Sequence, residues 1–485
     1  MEGELPMSDR RSPERPDASA TGRSPDPQGL HIEERRVESL GLRSTNPRTH
    51  SKKQIRQIAD SIQEFGFTNP VLIDASQTVI AGHGRVRAAK LLDLETVPTI
   101  QLEHLTEAQV RAYVIADNKL AENAGWDLDL LALELQGLAE IDIDFDLEVT
   151  GFETAEIDLM IGGGEPSTEE VDSADDVEEP DPNAPAVARP GDLWLIGRHR
   201  LLCGNALEES AYADLMGGAK ARVVFVDPPY NVPIQGHVSG LGRIRHPEFA
   251  MASGEMTPAQ FTTFLETTLR HHAAFSVPGA LHFVCMDWRH AGELLAAGDA
   301  VYSECKNICV WVKTNAGMGS LYRSQHELVF VFKADSASHI NNVELGRYGR
   351  TRTNVWRYAG VNSFGAERDG GLGIHPTVKP VRLVADALLD CSRRGDVVLD
   401  GFAGSGTTLL AAERTGRVGC ALEIEPRYVD AALRRLEEHA GLEAIHAETG
   451  QSFSQVASER LDETESRPPP DQITDTPLQA EEAVR

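Results

Sequence analysis

Asp227-Pro228-Pro229-Tyr230 is the stretch of this chain whose residue types best suit chemistry on a nitrogen heterocycle. Asp227 offers a carboxylate acceptor, and Tyr230 offers a ring on which a flat base can stack. Pro228 and Pro229 fix φ and remove backbone donors, so the turn is stiff and presents free carbonyls. An exocyclic amine needs an acceptor for its hydrogens, a wall for its ring and an electrophile in line with its nitrogen. This tetrapeptide supplies the first two. An isolated Asp-Pro-Pro is more often a plain turn, so the motif carries weight only with its surroundings. The preceding run, Val223-Val224-Phe225-Val226, reads as a buried strand, and open α/β sheets hold ligands at the carboxyl ends of such strands.

A second buried-strand signal, Val397-Val398-Leu399-Asp400, runs into Gly401-Phe402-Ala403-Gly404-Ser405-Gly406-Thr407-Thr408 and then a helical stretch from Leu409 to Thr415. Strand, glycine-rich turn and helix form the nucleotide-cradling unit of doubly wound folds. The glycines let backbone approach a ligand closely, and the helix amino end favours an anionic group. No lysine follows the last glycine, so this is not a phosphate loop, and the spacing is not the dinucleotide fingerprint. Glu423, after a strand at Val418 to Leu422, is placed for two ribose hydroxyls. A nucleoside site without phosphate points to S-adenosylmethionine.

Four motifs in order across residues 190–440 resemble the amino-group DNA methyltransferases whose catalytic motif precedes the cofactor motif. They are Asp227 to Tyr230, His375-Pro376-Thr377-Val378-Lys379-Pro380, Phe402 to Thr408, and Glu423-Ile424-Glu425-Pro426-Arg427-Tyr428. The resemblance implies a Rossmann-like doubly wound sheet and transfer of a methyl group to an exocyclic amine of DNA. It also implies that Asp400 holds the cofactor's amino group, Glu423 its ribose, and Thr377 and Lys379 its carboxylate, with no metal. Asp at the first catalytic position leans toward adenine, since the family's cytosine-N4 enzymes more often carry Ser there. Two positions depart from the pattern. Gly204-Asn205 stands where the family often has Gly-Asp, making that contact to the adenine ring neutral. Gly401 stands where proline is usual, which loosens the loop.

Elements must position these residues, and strand signals at 222–226, 280–286, 307–313, 327–333, 396–400 and 418–423 alternate with helical stretches. That alternation predicts a mainly parallel sheet with helices on both faces, the catalytic and cofactor strands lying side by side. Trp194 to Ile196 and Arg200 to Leu202 predict a small hairpin. Between the two halves, residues 341–358 hold Arg347, Arg350, Arg352, Asn354 and Arg357 among aromatics, a composition suited to phosphate contact and base-edge reading in double-stranded DNA. Residues 231–256 read as a mobile loop, and Lys313, Gly317 to Ser320 and Tyr322 to Glu327 as a lining for the base pocket.

Ahead of this body, Gln54 to Phe65 has helical periodicity closed by Gly66, and strands are expected at Val71 to Ile73, Thr78 to Ile80 and Val97 to Leu102. With Asn46-Pro47-Arg48 and Gly82-His83-Gly84-Arg85, residues 29–105 resemble a small α+β ParB-like domain. The resemblance implies a triphosphate, CTP or another nucleotide, cradled at a helix amino end. Partition proteins of that family bind CTP and clamp DNA, and some relatives are reported as nucleases. A docking remnant accounts for the same residues.

The net charge of −29 is unevenly spread. Residues 103–181 hold 24 acidic and 2 basic side chains and residues 437–485 hold 12 and 3, leaving +2 for everything else. Acidity is thus confined to a connecting region and a tail, and does not argue against DNA. Residues 106–161 read as an acidic helical extension, 162–189 as an extended linker, and 1–28 and 441–485 as disordered tails. Six scattered cysteines without a Cys-x-x-Cys pair read as reduced core residues, and no apolar run is long enough for a membrane span, so a cytoplasmic protein is expected. A homodimer and a partner restriction enzyme are both compatible with the sequence. Rival readings are a ParB-like clamp with a silent methyltransferase body, and methylation of structured RNA.

Overall fold

The computed structural model describes residues 30–141, 145–162, 172–177, 180–181, 184–232, 254–314, 321–343, 350–359 and 378–465. Thr377, Arg347, Gly317 to Ser320, the amino-terminal tail and most of the 231–256 loop lie outside them. The chain divides into two compact units, one of residues 1–126 and 148–151, the other of residues 127–147 and 152–485.

In the first unit, β1 (Ile32–Arg36), β2 (Val71–Ile73), β3 (Val79–Ala81) and β4 (Thr96–Gln101) form a sheet in the order β1-β4-β2-β3. Helix α1 (Lys52–Phe65) starts at Ser51, whose hydroxyl accepts from the Gln54 N–H at 3.0 Å, a standard amino-terminal cap. Helix α2 (His83–Leu91) begins earlier than the apolar pattern suggests, so His83, Gly84 and Arg85 lie in its first turn rather than in a loop before it. Helix α3 (Glu107–Glu122) buries Val110 and Val114 with Ile80 and Leu102 of this same unit. The acidic extension is therefore not one element: its first helix belongs to the amino-terminal unit.

The second unit opens with α4 (Leu128–Glu140) and α5 (Thr154–Ile161), which share a small core of Leu135, Leu147 and Ile157. Its sheet is built from β5 (Leu193–Ile196), β6 (His199–Cys203), β7 (Ala221–Val226), β8 (Ser276–Met286), β9 (Glu304–Val312), β10 (His326–Lys333), β11 (Val355–Arg357), β12 (Val397–Asp400), β13 (Val418–Glu423) and β14 (Ala444–His446). Their order is β11-β9-β10-β8-β7-β12-β13-β6-β5-β14, with β8, β7, β12, β13 and β6 all parallel. The fold class is as expected from sequence: a doubly wound α/β sheet preceded by a small α+β domain.

The continuous apolar runs are explained by burial on both faces. In β7, Val223 and Phe225 enter one core while Val224 and Val226 enter the other. Helices α9 (Val381–Cys391), α10 (Thr407–Arg414) and α11 (Pro426–Ala440) cover the first face. Helices α6 (Glu209–Met216), α7 (Pro258–Ala274) and α8 (Ala291–Val301) cover the second.

Two boundaries expected from sequence do not hold. The described part of 441–485 is folded: β14 extends the sheet beside β5, and α12 (Phe453–Glu465) sets the Phe453 ring 5.5 Å from that of Trp194. The described parts of 162–189 are likewise packed rather than extended. Ala174, Val187 and Ala188 are buried, and Asp430 accepts from the Val187 and Ala188 N–H groups at 2.7 and 2.8 Å. Small apolar residues within an acidic stretch are enough to dock it when a buried carboxylate waits for its backbone donors. Among the six cysteines five are buried, and Cys305 is exposed rather than in the core.

Candidate active site

The parallel strands deliver their last residues to one edge. Adjacent strands β7, β12, β13 and β6 end at or just before Asp227, Asp400, Glu423 and Asn205, and all four residues line one crevice. Val398 pairs with Val223 and Leu399 with Val224, so the catalytic and cofactor strands touch although they lie far apart in sequence. Pro228, Pro229, Tyr230, Phe402, Gly404, Ser405, Thr407 and Thr408 line the same crevice.

At the catalytic turn, Tyr230 donates its hydroxyl to Asp227 Oδ1 at 2.5 Å, and Lys379 Nζ donates to Asp227 Oδ2 at 2.5 Å. Lys379 also lies 3.1 Å from Glu327 Oε2, and Lys313 pairs with Glu327 Oε1. Burial raises the Asp227 carboxyl above its ordinary range, the Lys379 ammonium opposes that rise and the Glu327 charge adds to it. Burial also acts to raise Glu327, but Lys379 and Lys313 outweigh it and hold the carboxyl down at about 2. The sequence reading places Lys379 on the cofactor's carboxylate. The structure places it on the Asp227 carboxylate, because β7 and the start of α9 meet there. Glu327 and Lys313 gain a definite location: β10 begins at the edge where β8 ends, which brings Glu327 to the Asp-Pro-Pro-Tyr turn.

The cofactor side is a cradle of backbone and carboxylates. Gly404 has φ +50°, and a Cβ there would meet nothing within 4 Å, so the loop opens toward the crevice. Glu423 Oε2 accepts from the Gly404 N–H at 2.8 Å, and Oε1 from the Glu425 N–H at 2.9 Å. Asp400 accepts from the Phe402 N–H at 2.9 Å. Burial pushes the Asp400 carboxyl up to about 7, against hydrogen bonds from Thr408 and Phe402, with the Asp227 and Glu423 charges adding to the rise. Two buried carboxylates on neighbouring strand tips, beside an open glycine turn, fit the hydroxyls and ammonium group of S-adenosylmethionine. Gly406 caps α10 with φ +82°, and a Cβ there would come within 2.9 Å of Ala432.

Several expected contacts are engaged elsewhere. The Ser405 and Thr407 hydroxyls accept from buried Arg435 at 3.0 and 2.9 Å, so α11 props the loop from below. Sequence reasoning missed Arg435, whose only signal is an arginine beside the apolar face of α11. Gly401 does not loosen the loop, as its departure from the family pattern suggests. A Cβ there would lie 2.4 Å from His272 Nε2 and 2.9 Å from Tyr212 Oη, so glycine is the residue that fits.

Arg350 and Arg352 are not free for DNA. Arg350 bonds Asp390 and Asp386, and Arg352 bonds Asp390 at 3.1 Å and the Tyr358 hydroxyl at 2.7 Å. Asp386 and Asp390 stand one turn apart on α9 and draw both guanidinium groups inward. Asn354 and Arg357 remain exposed.

In the amino-terminal unit, Gly82 adopts φ +104° as the residue before α2, and Gly84 is closely packed: a Cβ there would lie 2.9 Å from Ile58. Arg85 donates to the Asn69 carbonyl at 2.8 Å. His83 is buried with Nε2 unpartnered, and an Arg43 nitrogen is also buried without a hydrogen-bond partner.

Strand order and crevice together define a protein of the doubly wound α/β class with one crevice at the carboxyl ends of its parallel strands. Residues 221–434 match the family described as DNA methylase, of the N6/N4 type. Residues 25–118 match the ParB N-terminal domain, and residues 129–190 the ParB-methyltransferase HTH domain. The chain is 49% identical over 80 residues to the ParB-like nuclease domain-containing protein YnaK of Escherichia coli K12, covering 16% of this chain and 92% of that protein. It is 32% identical over 139 residues to the type II methyltransferase M2.DpnII of Streptococcus pneumoniae, covering 27% of this chain. That match spans half of the relative's length. The crystal structure of the M1.HpyAVI-SAM complex aligns at 19% identity over 49% of this chain and 98% of that one, with a TM-score of 0.36. Residues 221–434 are thus similar to the amino-group DNA methylases, and the amino-terminal unit carries a ParB-like domain.

Proposed function

We propose that this protein transfers the methyl group of S-adenosylmethionine to the exocyclic amine of adenine in double-stranded DNA. The observation that carries the reading is the single crevice shared by Asp227-Pro228-Pro229-Tyr230 and the Gly404 cradle. The bound cofactor supplies an electrophilic methyl carbon. The target base leaves the stack, at a cost of a few kcal/mol, and seats on the Tyr230 ring. Asp227 accepts one amine hydrogen and the Pro228 carbonyl the other, which aims the nitrogen lone pair into the cradle. Holding the two partners in line supplies much of the acceleration. The Asp227 carboxylate would take the surplus proton that the amine nitrogen sheds on methylation. Asp400 and Glu423 hold the cofactor. Asn354 and Arg357 are the exposed candidates for DNA contact, and Asp at position 227 favours adenine over cytosine.

The test is a methylation assay on duplex DNA with labelled cofactor, comparing wild type with Asp227→Ala. The reading expects labelled N6-methyladenine from the wild type and a loss of at least 100-fold in the variant. Wild-type rates from Asp227→Ala would end it.

A second site follows from the amino-terminal unit. Unpartnered nitrogens on His83 and Arg43, near a helix amino end, favour an anion there, and a nucleotide such as CTP is the candidate. Calorimetry with CTP is expected to show binding that Arg43→Ala abolishes, and heat no greater than buffer would reject it.

A further inference from the structure

The charges around Asp227 do more than neutralise one another. Glu327 reaches two cations with separate oxygens, Lys313 with Oε1 and Lys379 with Oε2 at 3.1 Å. Lys379 in turn holds Asp227 Oδ2 at 2.5 Å. Tyr230 has one hydroxyl hydrogen to give. It gives it to Asp227 Oδ1 at 2.5 Å, while Glu327 Oε2 lies 3.4 Å away, a second and much weaker acceptor.

An amine that donates to Asp227 must share an oxygen that Tyr230 or Lys379 already uses, and crowding at Oδ1 weakens or displaces the Tyr230 bond. Displaced, the hydroxyl would be left with only the long contact to Glu327 Oε2 in a partly buried site, a costly state. A shift of several tenths of an ångström brings that oxygen to the usual O–H···O length.

We propose that Glu327 is a positioning residue of the methyl-transfer site, taking the Tyr230 hydroxyl from Asp227 as the target amine arrives and, with Lys313, holding Lys379 against Asp227. The inference rests on the transfer reading above. The groups that face this network are Lys313, Lys379, Asp227, Tyr230, Cys285 of β8 and Asp400 of β12. Two ammonium groups balance the Asp227 and Glu327 carboxylates, so loss of the Glu327 charge removes one of the two carboxylates that hold Lys379 in place beside Asp227.

The test uses the full chain with duplex DNA and S-adenosylmethionine, measuring kcat, KM for DNA and cofactor affinity for Glu327→Gln, Tyr230→Phe and the double variant. Glu327→Gln is expected to lower kcat at least tenfold with cofactor affinity within twofold of wild type. In the Tyr230→Phe background, where there is no hydroxyl to receive, the same change is expected to cost less than threefold. A Glu327→Gln enzyme within twofold of wild-type kcat, or two losses that simply multiply, overturns the proposal. Should Glu327→Gln fail to fold, Lys313→Met with Glu327→Leu removes the pair as a unit and is expected to lose the same kcat. Full activity in that variant also overturns it. A wild type that methylates no base refutes the transfer reading itself, a result distinct from an active wild type matched by its Gln variant.

Discussion

Asp400 is where burial and function pull against each other. Its carboxyl, pushed up to about 7 from an ordinary 3.8, is held protonated over a range where the unfolded chain has ionised. The folded state then binds the extra proton, so the contribution of this group to stability is greatest below pH 3.8 and falls as pH rises toward 7. Asp400→Asn is expected to raise the melting temperature of the ligand-free protein at pH 8 by several degrees and to change it little at pH 4. The same variant is expected to lose cofactor affinity at least tenfold. In the wild type, affinity should rise between pH 6 and pH 8 as the carboxylate forms to meet an ammonium group, and this pH dependence should vanish in Asp400→Asn. Calorimetry at three pH values decides it, and a flat wild-type profile would count against the role. Beside it, Gly401→Ala would force His272 and Tyr212 apart. A destabilisation of about 1–3 kcal/mol is expected from overpacking, read by urea unfolding.

Among the elements, the buried pair that fixes α5 makes the sharpest stability prediction. Asp158 bonds Arg417 at 3.0 Å and Arg394 at 3.1 Å, with Arg417 fully buried. Asp158→Ala leaves both guanidinium groups without their carboxylate and is expected to cost about 3–5 kcal/mol in denaturant unfolding. Nothing in the sequence pairs residue 158 with residue 417. The legible elements are those with a strong local signal. Strands β7 and β12 show as β-branched runs ended by prolines or glycines, and α1 shows by its period and cap. Local pattern failed where long-range partners decide. Strand β14 is three residues long in an acidic stretch and exists because β5 offers it an edge. Arg350 and Arg352 looked like DNA contacts because the carboxylates that claim them, Asp386 and Asp390, come some forty residues later. At the site, the shared crevice was readable from two strand ends and Glu327 from its place in the expected pocket lining, but its partners Tyr230 and Lys379 were not, since only antiparallel β10 brings it to them.

For the whole molecule, charge separates the methylase-like body from the rest. The stretch 129–190, matched to an HTH domain, carries 19 acidic residues and a single arginine or lysine, Arg189. Phosphate contact needs cations, so this segment is a poor partner for a duplex. Glu134→Gln with Asp129→Asn on α4 is expected to leave DNA affinity unchanged or slightly higher at low salt, and a weaker complex would place α4 on DNA. Among the described residues no helix is long and apolar enough to cross a membrane. The central claim is that Asp227 and Tyr230 present an adenine amine to a methyl group held over Gly404. Its most direct measurement is mass spectrometry of nucleosides from duplex DNA treated with the wild type and isotopically labelled cofactor. Labelled N6-methyladenine is the predicted product, and labelled N4-methylcytosine, or no labelled base at all, would contradict it.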